Sequence, residues 1–372
     1  MKGYDVEGLS LNFLSSCFRN VTNSYKFYWF WAILDELEAK DSCVLSMNEL
    51  AIRMVSHVWY PLDYYKLSFG PADQFKEISR FLSEKMEIDH SPYSSDLFVQ
   101  VKEQLNDQEQ SVLYKKIRDL IRYVPYRFIR PFFKQELRGK TDGCINKEIQ
   151  MLAASGFKGQ KILYCFNTPV SIEIHPEWKY YLLANIGLIR KAIYWELLLF
   201  LQKNNPHVPG LSEKIFKPVS RSLHKAKMFW NVYREISGGL NCIYSGVQLT
   251  GTISLDHFVP WSYVVHDQIW NIVPTCRSVN SAKGNQLLSV KQYLPLLVNL
   301  HYQAFHAIYL SSDHRKEFLL EDYCLLFKES LPEIYALSCS KFGEYYYQTM
   351  VLMLQIAENM GFGSNWSYKS GP

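Results

Sequence analysis

The chain has eight cysteines but no CxxC pair, and their scatter reads as reduced thiols in a cytoplasmic protein. A long apolar run is also missing. The longest stretch without Lys, Arg, Asp or Glu, Gln292 to Ser312, contains Pro295, Asn299, Gln303, two His and two Ser. It therefore predicts an amphipathic helix rather than a membrane span. The opening MKGYDVEGLSLNFLSSCF places Asp5 and Glu7 where a secretion signal wants positive charge followed by an apolar run, so export is not expected. There is no P-loop and no serine elbow, which excludes a motor or a serine hydrolase of the familiar kinds. Repeats of fixed period and low-complexity tracts are absent as well, so a solenoid or a disordered tail is not predicted.

What is present suits a folded protein of two or three domains: 372 residues, 48% hydrophobic and 20% charged. Aromatics reach 15%, which points to aromatic-rich helical cores and, less often, to base stacking. The net charge of +4 is unevenly placed. Between Ser111 and Lys140 nine basic residues, Arg122, Arg127 and Arg130 among them, face only Asp119 and Glu136. Two readings of this segment stand side by side. Lys115, Arg118 and Arg122 recur at helical spacing, and a strand or loop after Pro125 would interleave Tyr126, Phe128, Phe132 and Phe133 with Arg127 and Arg130 against nucleic acid. Alternatively, the segment is a solvated basic face over buried aromatics.

Along the chain, Ser24 to Lys40 is apolar all round in its first half and predicts a buried helix, its consecutive Trp and Tyr residues packing a core. Helical patterns follow over 46–59, 72–86 and 107–123, broken by Pro61, Pro71 and Pro92. Lys161 to Ile174 predicts a small hairpin around Asn167-Thr168-Pro169, and a long helix is expected from Pro176 to Asn204. Asn205-Pro206 and Pro209-Gly210 mark a boundary. Leu211 to Ser237 then reads as one basic helix, kinked or started at Pro218. It would dock through Leu223, Phe229, Trp230 and Val232 and leave Lys214, Lys217, Arg221, Lys225, Lys227 and Arg234 for phosphates.

The segment Asn241 to Asn285 carries the chemistry. It sets Asp256 beside His257, puts Asn271 fourteen residues after the His, and Asn280 nine residues further on. Phosphodiester hydrolysis needs a deprotonated water in line with phosphorus, and charge stabilisation on the phosphate and the departing alkoxide. A neutral imidazole takes a water proton near pH 7, and a hard divalent cation on oxygen donors supplies the charge. Side chains of neighbouring strand residues point to opposite faces, so Asp256 and His257 share a site only where the strand ends or bends, as Phe258-Val259-Pro260 suggests. Gly238-Gly239 is the expected turn into a first strand, and Thr250-Gly251 into a second.

Over about 45 residues, through the run Asp256-His257-Phe258-Val259-Pro260 and then Asp267, Ile269, Asn271, Asn280 and Lys283, the segment resembles the HNH, or ββα-metal, nuclease superfamily in its zinc-free form. The resemblance is to bacterial restriction and anti-phage endonucleases and to the HNH domain of CRISPR effectors. It implies a small ββα-metal (HNH) nuclease module, which the helical patterns on either side set in a mainly α chain. The helical part would span 1–205, the module with its leading helix 206–290, and a C-terminal helical segment 291–372 that packs on the rest. By the same resemblance, Asp256 and Asn280 hold one Mg²⁺ or Mn²⁺, His257 is the general base, Asn271 braces the loop between strand and helix, and Lys283 faces phosphate; His266 is a secondary candidate for phosphate contact beside it. Family members with zinc carry two CxxC pairs; here Ser245 and Val279 stand at the second positions after Cys242 and Cys276, so a structural zinc is not expected. The implied substrate is double-stranded DNA, with an ATPase partner or self-association conceivable, in a bacterial cytoplasm and without a membrane. Two other readings stay open: a nuclease acting on RNA, and a non-catalytic module that binds a partner protein through its aromatic helical surface.

Overall fold

The computed structural model describes residues 8–19, 21–71, 73–87, 97–216 and 222–369. The chain divides into two compact units, one made of Met1–Pro206 with Lys214–Lys217, the other of His207–Glu213 with Pro218–Pro372. Among the described residues no helix is long and apolar enough to cross a membrane.

The first unit is built around the Tyr25–Ala39 helix, ten of whose fifteen residues are buried. A helix that is apolar on all sides needs neighbours on all sides. Its Trp29 indole donates to the Tyr164 hydroxyl at 3.2 Å, and Tyr164 in turn donates to the Pro125 carbonyl. The Met47–Trp59 helix starts where Ser46 caps the Glu49 amide. The hairpin expected near Asn167 is present as β2, Tyr164–Thr168, paired antiparallel with β3, Ser171–Ile174. The sequence reading missed β1, Val44–Ser46, which adds to the other side of β3. Three residues are too few for the alternation that announces a strand.

Three expectations are corrected in or beside this unit. Residues 176–204 form two helices, Pro176–Ala184 and Ile186–Asn204, because Asn185 turns its side-chain nitrogen back onto the Tyr181 carbonyl at 2.9 Å and leaves helical geometry. After Tyr123 the chain is not a strand or loop but a helix, Val124–Ile129, and a tight turn, Arg130–Phe133. Pro125, in the first turn, suits a helix start, and Phe128, Phe132 and Phe133 are buried in the core rather than offered to bases. Residues 211–237 are likewise not one helix: Leu211–Lys214 is a short turn and the helix begins at His224, while Lys217, Pro218 and Arg221 lie outside the described residues. Lys214 is fully buried, and burial draws its pKa down to about 7, so it is not an outward-facing phosphate ligand.

The second unit has its own core, shared between the motif segment and the C-terminal helices Val290–Leu310, Lys316–Phe327 and Cys339–Asn359. Pro295 sits inside the first of these. The His224–Ser237 helix buries Phe229, Trp230, Val232 and Tyr233, and Trp230 donates to the Ile272 carbonyl at 3.2 Å. Residues 290–372 therefore belong to the same compact unit as the motif.

Candidate active site

The strands of the motif are β4, Ser254–His257, and β5, Ile272–Thr275, antiparallel with Asp256 opposite Val273 and His257 opposite Ile272. The expected start of a strand after Gly239 is realised only as a single bridge, Asn241 to Gln248. Between these two residues the chain closes a tight turn, with the Cys242 amide on the Val247 carbonyl at 2.9 Å and the Gly246 amide on the Cys242 carbonyl at 2.8 Å. Gly246 has φ of 72°, a conformation most side chains resist.

This turn delivers Tyr244 to the site. Its hydroxyl donates to Asp256 Oδ2 at 2.7 Å, while Tyr293 and Trp366 from the C-terminal segment pack edge-on against its ring. Burial, followed by the Asp256 carboxylate, pushes the phenol well above its ordinary range, so it stays a hydrogen-bond donor.

The Arg277–Lys283 helix follows β5 and meets β4 through two side chains three residues apart, which share a helix face. Asn280 donates its amide nitrogen to Ser254 Oγ at 2.9 Å and to the Leu255 carbonyl at 3.1 Å. With the nitrogen committed there, the amide oxygen is the atom Asn280 has to offer a cation. Lys283, which the resemblance set against phosphate, is instead fully buried: its ammonium lies 3.1 and 3.0 Å from the two Asp256 oxygens and donates to the His257 carbonyl at 2.7 Å.

His257 is the last residue of β4, and beyond it Phe258 donates to the Asn271 carbonyl at 2.8 Å. The Asn271 side chain is fully buried, accepting from the Val259 amide at 2.8 Å and donating to the Val259 carbonyl at 2.9 Å. It thus pins both ends of the 258–271 loop. That loop carries Asp267, whose Oδ1 lies 2.8 Å from His257 Nε2. A second fastening comes from Asp322, which accepts from the Ile269 amide at 2.8 Å and holds Lys225 at 2.7 Å. Lys225, expected at phosphate, is thus paired with Asp322 and with Glu321 at 2.6 Å; Lys227, two residues on, is exposed. His266 packs against Trp270, and burial, with His257 adding, pulls its pKa down to about 4. A neutral imidazole brings no charge to a phosphate.

The structure therefore brings Asp256, His257, Asn271, Asn280 and Lys283 together around the end of β4, where Asp256 and His257 each keep 5% of their surface exposed. Arg122, Arg127 and Arg130 belong to the first unit. Tyr244 and Asp322 escaped the sequence reading, and Asp267 was seen without a role; its signal was an acidic residue ten positions after the histidine, inside the matching run. Cys242 shares a 3.1 Å hydrogen bond with Thr275.

No curated protein and no solved structure matches this chain. Residues 242–288 match the model of the HNH endonuclease family, so the segment that holds Tyr244, Asp256, His257, Asp267, Asn271, Asn280 and Lys283 is similar to HNH endonucleases.

Proposed function

We propose that this protein is a metal-dependent endonuclease that hydrolyses phosphodiester bonds of double-stranded DNA, with β4, β5 and the Arg277–Lys283 helix as its ββα-metal module. The observation that carries the reading is the pairing of His257 with Asp267 at the end of the strand that also presents Asp256 beside Asn280. A carboxylate on Nε2 favours the tautomer with its proton there, which puts the imidazole lone pair on Nδ1. In that state His257 takes the proton of an attacking water, and Asp267 steadies the imidazolium that results.

The donors fit a hard divalent cation. Asp256 offers a carboxylate and Asn280 an amide oxygen, both suited to Mg²⁺ or Mn²⁺, with the remaining positions left to water and phosphate. Tyr244 orients the carboxylate, and Lys283 supplies the positive charge that a carboxylate with so little exposed surface requires. When bound, such an ion would stabilise charge on the scissile phosphate and on the departing 3′ oxygen. Restriction or anti-phage defence in a bacterial cytoplasm is the setting that this resemblance favours.

The test is nicking and linearisation of supercoiled plasmid with Mg²⁺ or Mn²⁺, with and without chelator, beside a matched RNA. Cleavage of DNA that chelator abolishes is expected, and His257→Ala is expected to slow it by about 10²–10⁴-fold while the thermal melt is kept. A His257→Ala chain that cuts as fast as the parent would remove this residue as the base, and cleavage confined to RNA would overturn the substrate.

A further inference from the structure

The first unit contains two cavities of about 900 and 820 Å³ whose linings share Lys26, Arg127 and Arg130, so the two lie side by side as a basic trough. At one end stand Lys115, Lys116 and Arg122, at the other Arg19, Lys134 and Arg138. Glu77 and Asp119 line the first cavity, whereas among the described residues lining the second there is no carboxylate. Lys140 of the second cavity pairs with Glu148, but none of the six cations at the two ends is ion-paired among the described residues. Burial lowers the pKa of Lys26, and the neighbouring Arg130 and Arg127 lower it further while the nearby Cys17 opposes them. The six cations at the trough's two ends repel one another, and a bound anion would relieve that repulsion.

One feature separates the possible anions. Tyr123 keeps 46% of its surface exposed in this trough, with the guanidinium groups of Arg122 and Arg127 at 5.4 and 4.9 Å from its ring centre. A row of cations with an exposed aromatic ring suits a sugar–phosphate backbone with a base to stack, which neither a lone phosphate nor an acidic peptide offers. We propose that this trough is a nucleic-acid-binding site of the first unit, gripping the phosphates of a DNA strand. The choice of DNA rests on the nuclease reading above; the charge and shape of the trough do not.

The experiment uses the full chain with His257→Ala, which holds DNA without consuming it, and a fluorescein-labelled single-stranded DNA of about 30 nucleotides titrated at several KCl concentrations. Arg19→Gln/Lys134→Gln/Arg138→Gln is expected to weaken binding at least about tenfold and to flatten the slope of log affinity against log salt by about 2, near 0.7 for each phosphate that is no longer neutralised. Lys115→Gln/Lys116→Gln/Arg122→Gln, at the other end, is expected to act alike. All six side chains are solvent-accessible, so a circular-dichroism melt should be unchanged. A matched triple outside the trough, Lys158→Gln/Lys191→Gln/Lys203→Gln, should stay within about twofold of the parent. Parent-like affinity and slope in both trough variants, or an equal loss in the outside triple, would overturn the proposal; tighter binding of a single-stranded RNA of the same length would overturn the choice of DNA. These outcomes are independent of cleavage, so a failure here leaves the catalytic reading standing, and a His257→Ala chain that still cuts leaves the trough standing.

Discussion

A histidine acts as a base only if one ring nitrogen keeps its lone pair where the water is, and at His257 that choice falls to Asp267. In the proposed reaction the carboxylate at 2.8 Å from Nε2 favours the tautomer with its proton there, which leaves the other nitrogen to take the water's proton. Asp267→Asn keeps the size and loses the charge, and an amide can present its nitrogen as readily as its oxygen to the ring. Turnover is expected to fall by about 10²–10⁴-fold with KM little changed, while Asp267→Glu recovers part of the loss. Steady-state cleavage measures the split, and the ¹⁵N shifts of the His257 ring report the tautomer, which a merely structural role would leave alone. Unchanged turnover in Asp267→Asn would dismiss the pairing as incidental. The residue was visible in the sequence only as an acid in a matching run. The pairing itself depends on the 258–271 loop folding back, which Asn271 and Asp322 enforce through hydrogen bonds that join residues 12 and 53 positions apart.

The meeting of the Arg277–Lys283 helix with β4 explains what was and was not legible at the scale of elements. The roles of Asp256, His257, Asn271 and Asn280 came from the resemblance of the segment to HNH nucleases, and a strand end, a braced loop and a short helix are what keep those intervals. The strand boundaries were less legible. Before β4, a first strand is expected between the turns at Gly238-Gly239 and Thr250-Gly251, but the chain there closes a tight turn at 242–247, and Tyr244 within it is what fastens Asp256. Helix breaks at Asn185 and the helix after Tyr123 were missed for a related reason: a single side-chain bond, or a proline that starts a helix, decides them. The basic character of Lys283 suggested the surface, yet its partner makes it part of the joint. Removing that charge leaves Asp256 buried without its counter-ion. Lys283→Met is expected to lower unfolding stability by about 3 kcal/mol, read from urea melts, and Asp256→Asn/Lys283→Met to recover much of it. Additive losses in the double variant would mean that the two side chains do not act as a pair.

For the molecule as a whole, two units with separate cores divide the features that matter: the basic trough belongs to the first and the nuclease motif to the second. Charge placement announced the first and the resemblance the second, while the 291–372 helices, expected only to pack on the rest, complete with their apolar faces the core around the motif. They also bring a pH liability. His301 is fully buried against Trp230, Tyr323 and Tyr346, sharing a 2.7 Å hydrogen bond with the Tyr323 hydroxyl, and burial pushes its pKa down to about 3. The unfolded chain has an ordinary histidine pKa of about 6.5, so below that pH the unfolded state gains a proton that the folded state refuses. The contribution is fully present above pH 6.5 and is lost as pH falls towards 3, at about 1.4 kcal/mol for each unit. Urea unfolding of the parent and of His301→Gln at pH 7, 6 and 5 isolates this group from the carboxylates, which titrate in both. His301→Gln is expected to be the less stable of the two at pH 7, through poorer packing, and to close that gap as the pH falls. A gap that stays constant from pH 7 to 5 would mean that His301 takes up its proton without unfolding, through an opening of the Val290–Leu310 helix that relieves its burial.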